Sequence, residues 1–173
     1  MNAVGDFERE KRAAAEAAAE LVESGMIVGL GTGSTVAYLL PALAARRLDV
    51  RWVSSSPATE RAARALGMQV QSFLGADAPN HLDLTIDGAD QATPSGWLVK
   101  GGGGAHTREK ALAAASERLV VIVSSNKLVH RPELRPARAP RLRAGGHTGA
   151  AWTGMAPGCA AQPGRRGDRR LSR

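Results

Sequence analysis

The chain has 173 residues, 43% hydrophobic but only 3% aromatic, enough for one core built from Ala, Val, Leu and Ile and too little for base stacking on nucleic acid. Its formal charge of +7 sits at one end: residues 1–130 carry 13 Lys and Arg against 14 Asp and Glu, whereas residues 131–173 carry 10 Arg against Glu133 and Asp168, so the main body gives no reason to expect a nucleic-acid partner. A lone Cys159 excludes an intrachain disulfide and a cysteine zinc site, Met1 to Arg12 is not signal-like, and no apolar run reaches the roughly 18 residues of a membrane helix, which together predict a cytoplasmic protein with no membrane partner.

In chain order, Asp6 to Ser24 is rich in Ala and Glu and free of Pro and Gly, which predicts a helix that carries Lys11 and stops at Ser24-Gly25. Met26-Ile27-Val28-Gly29-Leu30 reads as a buried strand, Gly31-Thr32-Gly33-Ser34-Thr35 as a glycine loop, and the spacing of Val36, Leu39, Leu40 and Leu43 as a helix. Open amides and three hydroxyls at a helix start suit a phosphate, which makes Thr32, Gly33, Ser34 and Thr35 candidates. A tight strand-to-helix turn with Ser34 or Thr35 as the cap accounts for the same residues. Because Ser34 stands where the dinucleotide fingerprint needs its third glycine, that fingerprint fails. Arg51-Trp52-Val53-Ser54 is the next strand, and Ser56-Pro57 opens a helix to Leu66, with Ser56 as N-cap and Gly67 as the stop.

Met68 to Phe73 and Leu82-Asp83-Leu84-Thr85-Ile86 follow as strands, the second ending in Asp87-Gly88-Ala89-Asp90. Carboxylates at a strand end sit where open α/β sheets place ligand-binding groups, although an Asx-turn or a helix cap would use either Asp87 or Asp90 as well. Trp97-Leu98-Val99 is a strand leading into Lys100-Gly101-Gly102-Gly103-Gly104, and Glu109 to Arg118 is an alanine-rich helix leading out. A cation, four glycines and a carboxylate between strand and helix read as an active-site turn, a flexible linker being the competing reading. Leu119-Val120-Val121-Ile122-Val123 is the most strand-like run, and it delivers Lys127 to the same sheet edge, where a lysine is also at home simply in solvent. Repeated strand-then-helix units predict an α/β domain over 1–130.

Residues 131–173 differ in kind, with five of the nine prolines, seven of the twenty glycines and no Val, Ile, Phe, Tyr or Lys. Such a segment has little to bury and is expected to supply no strands, forming a disordered or loosely wrapped tail. The abrupt change also suggests a replaced or out-of-frame end.

Taken together, Gly29 to Thr35, Ser54-Ser55-Ser56 with Thr59, Asp87 to Asp90, Lys100 to Lys110 and Lys127 resemble, in the same order, the motifs of the ribose-5-phosphate isomerase A family, over about residues 8–129. The resemblance implies an open, mostly parallel, Rossmann-like three-layer sheet. It also implies a cofactor-free, metal-independent aldose–ketose isomerase of the pentose phosphate pathway, working on a sugar phosphate through an enediol. On that basis Glu109 is the general base, Asp87 handles the hydroxyl proton and ring opening, and Lys100, with the amides of Gly101, Gly102 and Gly103, faces the developing oxyanion. Gly88, Ala89 and Asp90 line the sugar, and Thr32 to Thr35 with Lys11 and Lys127 take the phosphate. Gln91 departs from the family's usual glutamate, and Ser124 and Asn126 from its usual residues before the lysine. The family's C-terminal α+β domain is not recognisable here, so a family-like homodimer or higher oligomer is expected only if that domain is dispensable. A non-catalytic sugar-phosphate-binding relative is the alternative.

Overall fold

A computed structural model of the chain describes residues 3–74, 77–101 and 106–131, together with the strands at 141–143 and 151–155. The elements are α1 (Ala3–Ala19), β1 (Ile27–Leu30), α2 (Ser34–Arg46), β2 (Arg51–Ser54), α3 (Pro57–Ala65), β3 (Val70–Ser72), β4 (Leu82–Gly88), β5 (Gln91–Ala92), β6 (Trp97–Val99), α4 (His106–Ala114), β7 (Ser116–Ile122), a 3-10 turn at Ser125–Lys127, β8 (Arg141–Arg143) and β9 (Ala151–Met155). Six strands form one sheet in the order β3-β2-β1-β4-β7-β9, every neighbouring pair parallel. The smaller sheet β5-β6-β8 is antiparallel.

Three layers follow from the alternation of side chains along the strands. Val28, Leu30, Leu84, Ile86, Val120 and Ile122 face α1 and α2 through Ala15, Ala18, Leu39 and Leu43. On β7 the alternate residues Leu119 and Val121 pack instead with Leu98 and Ala92 of the small sheet. Leu112 of α4 packs with Val53 and Leu82. Small alanines let α1 lie close to α2, whose buried Val36, Leu39, Leu40 and Leu43 carry the helix through Pro41. A mid-helix proline costs about 3 kcal/mol, and burying four aliphatic side chains at about 1.5–3 kcal/mol each outweighs it.

The chain winds outward from β1 through β2 to β3, then starts again beside β1 with β4 and proceeds the other way through β7. The gap at the C-terminal ends of β1 and β4 is therefore a topological switch point, the place where such sheets open a crevice.

Four expectations are corrected. The first helix ends at Ala19 rather than Ser24: the Leu21 and Val22 amides turn back three residues to the Ala18 and Ala19 carbonyls at 3.2 Å, and the Arg46 guanidinium caps the carbonyl oxygens of Ala19 and, at 2.8 Å, Val22. The third strand is short, Val70–Ser72 rather than Met68 to Phe73. The last helix ends at Ala114 instead of reaching Arg118, since pairing with β4 begins at Leu82 opposite Ser116 and draws 116–118 into β7. Residues 131–173 do supply strands: β8 pairs β6, and β9 pairs all along β7. Backbone ladders draw on peptide groups, so the open edge of β7 accepts a strand from a segment poor in β-branched residues.

Candidate active site

The crevice is built around Asp87 at the end of β4. The Gly31 amide donates to the Ile86 carbonyl at 2.9 Å, extending the β1–β4 pairing by one residue and pressing Gly31 against Asp87. A Cβ on Gly31 would overlap the Asp87 carboxylate, so glycine is required here for space. Asp87 Oδ1 then accepts from the amides of Thr32 at 2.9 Å and Gly88 at 2.7 Å, and Oδ2 pairs with Lys100 Nζ at 2.7 Å. The far side of the loop is held by Thr59, whose hydroxyl donates to the Gly31 carbonyl at 2.9 Å, and by Ser54, whose hydroxyl donates to the Leu30 carbonyl at 3.0 Å.

Lys100 follows β6 and is swung inward, 3% exposed, donating also to the Gly88 carbonyl. Glu109 lies in the first turn of α4, 4% exposed. Its Oε1 accepts a 2.5 Å hydrogen bond from the Thr32 hydroxyl, while Oε2 has no hydrogen-bond partner among the described residues and stands 3.6 Å from Lys100 Nζ. Two buried carboxylates thus share one ammonium. Burial pushes the Asp87 carboxyl above its ordinary value, and the neighbouring Glu109 adds to this while Lys100 and the Thr32 amide oppose it.

Beside this cluster lies a cleft of about 320 Å³. Thr32, Gly33, Ser34 and Thr35 form one wall, and Gly88, Ala89 and Asp90 another. Lys100, Gly101 and Glu109 line the same cleft, as do Lys11 from α1 and Lys127 from the 3-10 turn. Gly33, with φ of 103°, is the N-cap of α2, and no side-chain cap bond is made there. Neither Ser34 nor Thr35 caps the helix, and its opening turn faces the cleft, an arrangement suited to an anion.

The residues singled out in sequence come together here, with two qualifications and one addition. Asp87, 2% exposed, stands behind Lys100 rather than on the cleft surface. Gly102 and Gly103 lie outside the described residues. Ser56, read as an N-cap, accepts from the Thr59 amide at 3.3 Å and also lines the cleft, a second use that capping chemistry alone did not reveal. Away from the cleft, at the opposite end of β4 and β7, His81, Asp83 and Glu117 bring one ligand atom each within 4.8 Å of one another. One carboxylate oxygen of Asp83 is already engaged, accepting from the Ile27 amide at 2.7 Å.

Fold and cleft together define an open parallel α/β domain with two buried carboxylates, a buried lysine and an uncapped helix start at its switch point. The family profile "Ribose 5-phosphate isomerase A (phosphoriboisomerase A)" matches residues 51–138. Ribose-5-phosphate isomerase A of Caulobacter sp. (strain K31) is 52% identical over 120 residues, which is 69% of this chain and 52% of that protein. Ribose 5 phosphate isomerase A from Neisseria gonorrhoeae superposes with a TM-score of 0.65 at 37% identity, covering 70% of this chain and 53% of that one. A D-ribose-5-phosphate isomerase solved in complex with phospho-erythronic acid superposes with a TM-score of 0.66 at 32% identity, covering 75% and 56%. The chain belongs to the ribose 5-phosphate isomerase A family. It spans about half the length of the curated relatives it matches.

Proposed function

We propose that this chain carries the site of a ribose-5-phosphate isomerase, interconverting D-ribose 5-phosphate and D-ribulose 5-phosphate with no cofactor or metal. The observation that carries the reading is the buried Glu109, with one oxygen tied to Thr32 and the other facing Lys100 beside the cleft. In the open-chain aldose, Glu109 takes the proton from C2 as the C1 oxygen gains one, giving the enediol. It then returns the proton to C1 as the C2 oxygen loses its own, giving the ketose. The Lys100 ammonium, with the Gly101 amide, stabilises the oxygen on which negative charge develops. Asp87 acts through Lys100, holding the ammonium in place, so that this ion pair supplies the proton the C1 oxygen gains and takes back the one the C2 oxygen loses. The phosphate takes the opening turn of α2 with Lys11 and Lys127, and Gly88, Ala89, Asp90 and Ser56 line the sugar.

Isomerisation of ribose 5-phosphate by the full chain, beside Glu109→Gln, is the test. Loss of about 10²–10⁴-fold in kcat with ribose 5-phosphate still bound is expected, the range of a positioned general base. Equal activity of the two proteins would overturn the assignment. The second reading is a sugar-phosphate-binding relative without turnover. It predicts binding with no turnover in either protein. Among the described residues no helix is long and apolar enough to cross a membrane. We place the protein in the cytoplasm, with the sugar phosphate as its partner and no nucleic acid.

A further inference from the structure

Resting on the reading of the cleft as a sugar-phosphate site, we infer that Glu10 is a positioning residue for the phosphate end, acting by clamping the turn that carries Lys127 to the helix that carries Lys11. The two lysines come from distant parts of the chain: Lys11 from α1 and Lys127 from the 3-10 turn Ser125–Lys127. Glu10 joins them. Its Oε2 accepts from the Ser125 amide at 2.7 Å and its Oε1 from the Ser125 hydroxyl at 3.0 Å, a two-point grip across 115 residues of sequence. Its other bonds are local, Lys127 amide to Ser124 carbonyl at 2.9 Å and Ser124 hydroxyl to Asn126 Oδ1 at 2.6 Å, or tie its exit to β5, Val129 amide to Ala92 carbonyl at 2.9 Å; none of these fixes it against α1.

A second carboxylate of α1 supports the assignment. One turn's reach away, Glu8 Oε1 pairs with Lys11 Nζ at 2.6 Å, and the Tyr38 hydroxyl of α2 donates to its other oxygen. Glu8 therefore ties Lys11 to the helix whose opening turn faces the cleft, and Glu10 ties Lys127 to the helix bearing Lys11. An exposed ion pair is worth little on its own. A carboxylate spanning two elements is different, because it removes the freedom of one cation relative to the other before the dianion arrives, so less ordering is left to be done on binding.

The sign of the effect separates clamping from simple electrostatics. A carboxylate near a phosphate repels it, so deleting the charge by itself would tighten binding. Loss of the clamp weakens binding. Affinity for inorganic phosphate and for ribose 5-phosphate, measured calorimetrically on the full chain, is expected to fall about 5- to 20-fold in Glu10→Ala. Glu10→Gln, whose amide oxygen keeps one of the two acceptors, is expected to recover part of the loss, and Glu16→Ala on the same helix to match the parent. In a Lys127→Ala background the Glu10→Ala change should alter phosphate affinity less than 2-fold, since the group it positions is gone. Unchanged or tighter phosphate binding in Glu10→Ala, or full additivity with Lys127→Ala, would overturn the inference while leaving the functional reading in place. A parent chain that binds neither phosphate nor ribose 5-phosphate would overturn both.

Discussion

At the scale of residues, the cluster depends on contacts that admit no extra atom. A Cβ on Gly31 would fall on the Asp87 carboxylate. Gly31→Ala is therefore expected to displace Asp87 and, through it, Lys100, lowering turnover of ribose 5-phosphate by about 10²-fold or more, as a misplacement of about 1 Å does. Steady-state kinetics beside a melting curve separates this from unfolding. Asp87 also gives stability a pH dependence. Its folded carboxyl holds a proton to higher pH than the unfolded chain does, from the ordinary value of 3.8 upward. The native state therefore binds the extra proton in that window, and this contribution to stability is complete below about pH 4 and lost as pH rises through the raised value. Urea midpoints across pH 4–8 should show the decline in the parent and its absence in Asp87→Asn. Residue type alone singled out Asp87 and Lys100 at strand ends and Glu109 at a helix start, and the family resemblance supplied the role expected of each. Neither reached Thr32's bond to Glu109, since a hydroxyl 77 positions away carries no local sign of its partner.

At the scale of elements, caps and ladders set the ends that propensity leaves open. Ser56 at the N-cap of α3, followed by Pro57, was legible because both residues serve the first turn of a helix, and the Ser56 side chain does accept from the Thr59 amide. Ser56→Ala is expected to lower the urea unfolding free energy by about 0.5–2 kcal/mol, and to raise KM as well, since Ser56 lines the cleft. A fall in stability with no change in KM would confine Ser56 to capping. The end of α4 was not legible in the same way: Ala115 to Arg118 has nothing against a helix, and the register of β7 on β4 decided it. The two-residue strand β5 is likewise a product of its partner, Gln91 facing Val99 and Ala92 facing Leu98.

At the scale of the whole molecule, the sheet order and its edges matter most. Pairing of β9 along β7, from Arg118 opposite Ala151 to Ile122 opposite Met155, covers the edge of a central hydrophobic strand. Deleting residues 144–173 is expected to lower the melting temperature by several degrees and promote association through the bared edge, read by light scattering. A melting temperature equal to the parent's would show that the strand contributes nothing in solution.

What the sequence determined by itself was the strand–loop–helix grammar: short apolar runs, glycines where backbone must pass close to something, and charged groups at strand ends, all fixed by local propensity and residue chemistry. Only the tertiary structure decided that β1 and β4 are neighbours, and hence that Gly31, Asp87, Lys100 and Glu109 meet. Parallel strands are joined through crossovers, so their order is set by long-range packing of both sheet faces, which no local pattern records.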